Sequence, residues 1–173
     1  GGPDPGARAG RGRQGTGRVV SAPVRRPLRS AIAIGAADSG RGRTFHQAVE
    51  FAMEAERMGV DFAWSAEAWG MDAVAPLAYV AARTTRLRLG TGIMQISARV
   101  PANTAMTALT MAAITDDRFV LGLGASGPQV VEGLHGQPFA KPLTRLRETV
   151  EIVRMAFAGE KLGHASDHGV VVH

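Results

Sequence analysis

From residue 30 onward, short apolar runs alternate with stretches whose apolar residues recur at helical spacing. "AIAIGAA" at 31–37 predicts a first strand. Thr44 and Gln47 have the spacing of a capping box, and Phe45, Ala48, Val49, Ala52 and Met53 then predict a helix that Gly59 ends. "VDFAW" at 60–64 predicts a second strand. Asp72 is placed to cap a second helix with Pro76 in its first turn and Leu77, Ala78, Ala81 and Ala82 as its buried stripe. "RLRLGTGIM" predicts a third strand, where Leu87 and Leu89 alternate with Arg86 and Arg88. A helix of small residues follows over 102–114, and "RFVLGLG" at 118–124 predicts a fourth strand. After a long loop, Leu146, Thr149, Val150, Val153 and Phe157 mark one face of a helix from Thr144 to Ala158, ended by Gly159.

Four successive β-α units imply a parallel sheet with helices packed outside it. Two architectures satisfy that pattern: an open doubly wound sheet, or a (β/α)8 TIM barrel present only in part. A whole barrel takes about 250 residues, and residues 30–173 give 144. "LGHASDHGVVVH" at the end reads as the start of another extended element, as expected of a truncated barrel.

Charge divides the chain in two. Residues 1–29 carry seven Arg and one acid, a local charge of +6, whereas residues 30–173 sum to −1. The first segment is rich in Gly, Arg and Pro and poor in large apolar residues, so it is expected to be a disordered tail preceding the folded part at 30–173. Its charge alone would suit nucleic acid, a weak expectation beside a small-molecule substrate. It has no apolar core of a secretory signal, and no apolar run in the chain is long enough to span a bilayer. The absence of cysteine excludes disulfides and thiolate metal sites and fits a cytoplasmic protein.

Candidate chemistry gathers at the strand ends. Gly90-Thr91-Gly92 interrupts the third strand, and glycine inside a strand marks a close approach to the backbone. "GLGASG" at 122–127 has the G-x-G-x-x-G form. Pro128 follows directly, the next strong helix waits until Thr144, and three β-α units precede the motif, all against a dinucleotide fingerprint. Among the histidines, His46 falls on the first helix, expected exposed, and His135 falls in the long loop with a substrate-side role open to it. His164, Asp167, His168 and His173 lack a frame that would fix metal geometry, so no metal is expected. Met53, Met58, Met106 and Met111 read as core filler.

Taken in order, "RLGTGI", "RFVLGLGASGPQVVEG" and "PLTRLRETVEIVR" resemble the luciferase-like monooxygenase superfamily over about residues 31–160. The chain is most similar to the coenzyme F420-dependent branch, the methylene-tetrahydromethanopterin reductase-like proteins. The resemblance implies a (β/α)8 barrel of which this chain supplies the N-terminal half. It implies an oxidoreductase using F420, or alternatively FMN, to move a hydride to or from a small organic substrate. An FMN-dependent monooxygenase and an inert fragment are the alternatives, and a homo-oligomer is possible.

The resemblance also implies residue roles. A non-prolyl cis peptide backing the ring would join Gly92 and Ile93. Glu67 stands where some relatives place an Asp near the deazaflavin, with capping of the next loop as its other reading. Gln95, Ala125 and Ser126 would complete the cofactor contacts. Ala68 replaces a histidine proton donor of the sugar-phosphate dehydrogenases. Gly127 and the first strand lack acids found in other relatives, so no proton donor is assigned.

Overall fold

A computed structural model of the chain describes residues 1–2, 28–35 and 44–162. Most of the basic tail, residues 36–37 of the first expected strand and the histidine-containing C-terminus lie outside the described residues.

Strand β1 (Ala31–Ile34) is followed by helix α1 (Phe45–Arg57), β2 (Phe62–Ser65) and α2 (Val74–Ala81). Then come β3 (Arg88–Thr91), β4 (Met94–Gln95), α3 (Pro101–Ile114), β5 (Phe119–Val120), β6 (Leu123–Gly124), the one-turn α4 (Pro128–Val131) and α5 (Pro142–Phe157). The main sheet runs β1-β2-β3-β5, every pair parallel, and β4-β6 form a second parallel pair. Spatial order follows chain order without reversal. A doubly wound sheet needs a switch point where the order reverses, so the topology is that of a barrel wall.

Capping explains the helix starts. Thr44 and Gln47 close the capping box of α1 reciprocally, at 2.9 and 3.3 Å. Asp72 Oδ1 accepts the N–H groups of Val74 and Ala75 at the head of α2. Gly59 and Gly159 take positive φ beyond α1 and α5, where a Cβ would be unfavourable.

One face of the sheet packs on the helices. Ile34, Ala63 and Leu89 join Val49 and Ala52 of α1, Leu77, Val80 and Ala81 of α2, and Met111 of α3 in one core cluster. The other face carries Ala31, Ala33, Phe62, Trp64, Arg88 and Gly90 by strand alternation. There Phe62 and Trp64 stack with centroids 5.5 Å apart, and the Arg88 guanidinium lies 5.0 Å over Phe62. Ala31 and Ala33 are exposed, and β1 and β5 are the sheet edges among the described strands.

Two side chains lock the turns at the opposite, N-terminal end. Glu56 Oε1 accepts the N–H groups of Thr85, Arg86 and Leu87 at 2.8, 2.6 and 2.8 Å, tying the end of α1 to the turn that feeds β3. The Arg118 guanidinium donates to the carbonyls of Ala81, Thr84, Leu87 and Thr115, capping the C-terminal ends of α2 and α3.

Several expectations need correction. The third and fourth strands are each broken in two, at Gly92–Ile93 and at Leu121–Gly122. Strand β2 is shifted to 62–65, and α5 begins at Pro142. In α2 the buried residues are Pro76, Leu77, Val80 and Ala81, while Ala82 is exposed, because the helix presents Val80 to the core. Met58 and Met106 are exposed rather than core filler, since both lie on the solvent side of their elements. In α5 the buried face is Glu148, Thr149, Ile152 and Val153, and Phe157 is exposed.

Candidate functional site

The strand breaks build the site. The Gly92–Ile93 peptide is cis, at the position the resemblance implies. Gly92 N–H donates to Ser65 O at 2.7 Å, and Met94 N–H donates to Gly122 O at 2.8 Å, so the chain resumes as β4 beside β6. Thr91, 1% exposed, bridges the break: its hydroxyl donates to Gly122 O and accepts from Gly122 N–H, both at 2.8 Å. A threonine side chain thus replaces ladder bonds that the bulge removes.

Glycines are required here for packing. A Cβ on Gly90 would overlap the Trp64 six-membered ring, and one on Gly122 would overlap the Thr91 carbonyl oxygen. The group closest to Gly90 is therefore the Trp64 indole, supplied by this chain. At Gly92 an added Cβ would sit at an ordinary 3.6 Å from Trp64 Cε3. Gly92 is exposed and Ile93 half-buried, although Thr91, Met94, Gln95 and Ile96 around them are buried. The Ile93 side chain packs over Gly124, where a Cβ would come within 2.9 Å. The result is an uncovered piece of main chain with no side chain at Gly92, backed by the indole and flanked by isoleucine.

The other expected residues are arranged as follows. Glu67, 8% exposed, stands just past β2. Its N–H donates to Ile93 O at 3.0 Å. Its carboxylate accepts from Gln95 N–H at 2.9 Å, Ala73 N–H at 3.3 Å and both terminal nitrogens of Arg99 at 2.9 and 2.6 Å. Hydrogen bonding to Glu67 raises the Arg99 guanidinium above its usual pKa, against the downward push of burial. Gln95 is 2% exposed; its amide contacts His135 Nε2 at 2.6 Å and accepts from the Ser97 hydroxyl at 3.1 Å. Ala125 and Ser126 follow β6, both half-buried, and Ser126 has φ +57°. A non-glycine residue in the left-handed region at a strand end is a feature associated with ligand sites. Gly127 caps the short α4, which the sequence pattern does not reveal.

Gly92, Ile93 and Gln95 therefore lie in one bulge that Glu67 holds, and Ala125 and Ser126 follow the adjoining β6. Arg99 and the Gln95–His135 contact were missed. Nothing in the spacing of His135 points to Gln95, forty residues away.

These parallel β-α units define part of an α/β barrel with its polar and glycine-rich positions at the strand ends. Residues 29–172 match the model of the luciferase-like monooxygenase family, and the chain belongs to that family. It is 52% identical over 111 residues to the Mycobacterium tuberculosis protein named "Putative coenzyme F420-dependent oxidoreductase Rv3520c", an alignment covering 64% of this chain and 32% of the relative. The coenzyme F420-dependent tetrahydromethanopterin reductase of Methanopyrus kandleri has the same fold, with a TM-score of 0.66 at 19% identity over 83% of this chain and 45% of that one. So does the oxygenating constituent of 3,6-diketocamphane monooxygenase of Pseudomonas putida, in complex with FMN, with a TM-score of 0.67 at 18% identity over 82% of this chain and 42% of that one. The chain thus spans about a third of that curated relative's length and under half of those solved chains. Among the described residues, no helix is long and apolar enough to cross a membrane.

Proposed function

We propose that the chain is part of an F420- or flavin-dependent oxidoreductase in which the cofactor ring lies against the Gly92–Ile93 main chain. The observation that carries this is the exposure of Gly92 amid buried neighbours at the strand ends. The residues fit such a group: an exposed stretch of main chain with no side chain at Gly92, flanked by Ile93 and lined by the Trp64 indole, suits a planar ring. When bound, the deazaflavin or flavin would supply hydride transfer with a small organic substrate. Ile93 excludes water from one side of the patch, the Trp64 indole supports it from behind, and Ser126 offers a hydroxyl at the adjoining strand end. F420 is preferred over FMN because Rv3520c, the 52% identical relative, is named for F420.

The test is a fluorescence titration of the purified chain with F420 and, separately, with FMN. Micromolar binding of either supports the reading, and a preference for F420 supports the finer assignment. No binding of either at up to millimolar concentration favours the second reading, an inert half-barrel. That reading draws on the second face of the sheet, where Ala31, Ala33 and Arg88 are exposed among the described residues.

A further inference from the structure

Glu67 does more than stand beside the bulge. Its main-chain N–H holds Ile93 O, and its carboxylate holds Gln95 N–H, so one residue grips the bulge on both sides of Met94. Both carboxylate oxygens are occupied, Oε1 by Ala73 N–H and Arg99 Nη2, Oε2 by Gln95 N–H and Arg99 Nη1. The Arg99 and Glu67 side chains are only 18% and 5% exposed, so the pair is shielded and geometrically fixed by two parallel bonds. A carboxylate saturated in this way has no lone pair directed at a ligand without breaking an ion pair in a buried setting. Arg99 also leads directly into Val100 and α3, so the pair joins the end of β2, the head of α2, the bulge and the head of α3.

We propose that Glu67 and Arg99 form a clamp that fixes the main chain from Gly92 to Gln95, making both positioning residues and neither a cofactor ligand. The clamp itself is independent of the functional reading; its consequence for binding rests on that reading. Amide hydrogen exchange by NMR on the ligand-free chain tests the first part. In Glu67→Gln, exchange of the Gln95 amide should rise about tenfold or more, the loss expected for a charged hydrogen bond; it should also rise in Arg99→Gln, which leaves the acceptor in place but removes the partner that fixes it. The Met94 and Ile96 amides, bonded to Gly122 O and Gly124 O, should change by less than about threefold. Arg99→Lys keeps the charge but loses the parallel pair of bonds, and should recover only part of the protection. The second part is read by titration: F420 or FMN affinity should fall about tenfold in Glu67→Gln and Arg99→Gln and by less in Arg99→Lys.

Unchanged Gln95 exchange in Glu67→Gln overturns the clamp, as does a rise shared equally by Met94, Ile96 and the core, which would be general loosening. If Glu67→Gln does not fold, the Arg99 variants decide on the same amides. Raised Gln95 exchange with unaltered affinity overturns the positioning role. A wild-type chain that binds neither cofactor defeats the functional reading, while the exchange data still decide the clamp.

Discussion

Replacing Glu56 by Gln should remove a pH-dependent part of the chain's stability. One carboxylate oxygen takes three successive backbone N–H groups, at 2.6–2.8 Å, from Thr85, Arg86 and Leu87. Hydrogen bonds to a charged group contribute about 1.5–3 kcal/mol each in isolation. Three donors sharing one oxygen of a partly exposed side chain are neither additive nor fully shielded, so about 2 kcal/mol for the whole arrangement is the working figure. Part survives in Glu56→Gln, whose amide oxygen still accepts; Glu56→Ala should lose about 2 kcal/mol, or roughly 4–8 °C in Tm for a chain of this size. Burial alone would push the Glu56 pKa up, but the three N–H donors and the Arg86 charge outweigh it and the net shift is downward from 4.5. A depressed carboxylate stabilises the fold above the unfolded-state value and loses that contribution as pH falls through the folded one. The stability gap between wild type and Glu56→Gln should therefore be constant above about pH 5.5 and narrow on acidification below 4.5. Urea unfolding followed by circular dichroism from pH 7 to pH 3 measures it. A gap of zero at pH 7, or one that widens in acid, would refute the reasoning.

Glycine substitutions separate packing from binding. Gly90→Ala should destabilise by about 1–3 kcal/mol and shift the tryptophan fluorescence, because the new methyl must displace the Trp64 ring stacked on Phe62. Gly92→Ala directs its methyl at Trp64, behind the proposed ring position, at an ordinary 3.6 Å; it should change stability by less than about 1 kcal/mol and F420 or FMN affinity by less than about threefold, and a larger loss of affinity would place the ring on the indole side instead. Gly122→Ala meets a carbonyl oxygen that cannot move aside and should lower Tm more than Gly90→Ala, as seen by calorimetry. Arg118→Lys keeps the charge but loses the planar fork that reaches α2 and α3, and should lower stability by about 2 kcal/mol in urea titration.

Much of the scaffold was legible in local chemistry. The Thr44–Gln47 box, the Asp72 cap and the helix-ending Gly59 and Gly159 depend on residues a few positions apart, and the structure has each of them. Periodicity was less reliable where a helix is packed on only one side. Met106 and Phe157 satisfy helical spacing but are exposed, because spacing identifies a stripe without saying what covers it. The bulge residues at Gly92, Ile93 and Gln95 were recognisable through the family resemblance; the clamp from Arg99 was not.

By itself, the order of apolar runs determined the β-α alternation and the parallel sheet, since these follow from contacts within one turn or between adjacent segments. Tertiary structure alone decided that Trp64 fills the space left by Gly90, that Arg99 returns to Glu67, and that Gln95 meets His135. Each of these joins residues 26 to 40 positions apart, and such a pairing depends on strand register and loop path rather than on the preferences of the residues concerned.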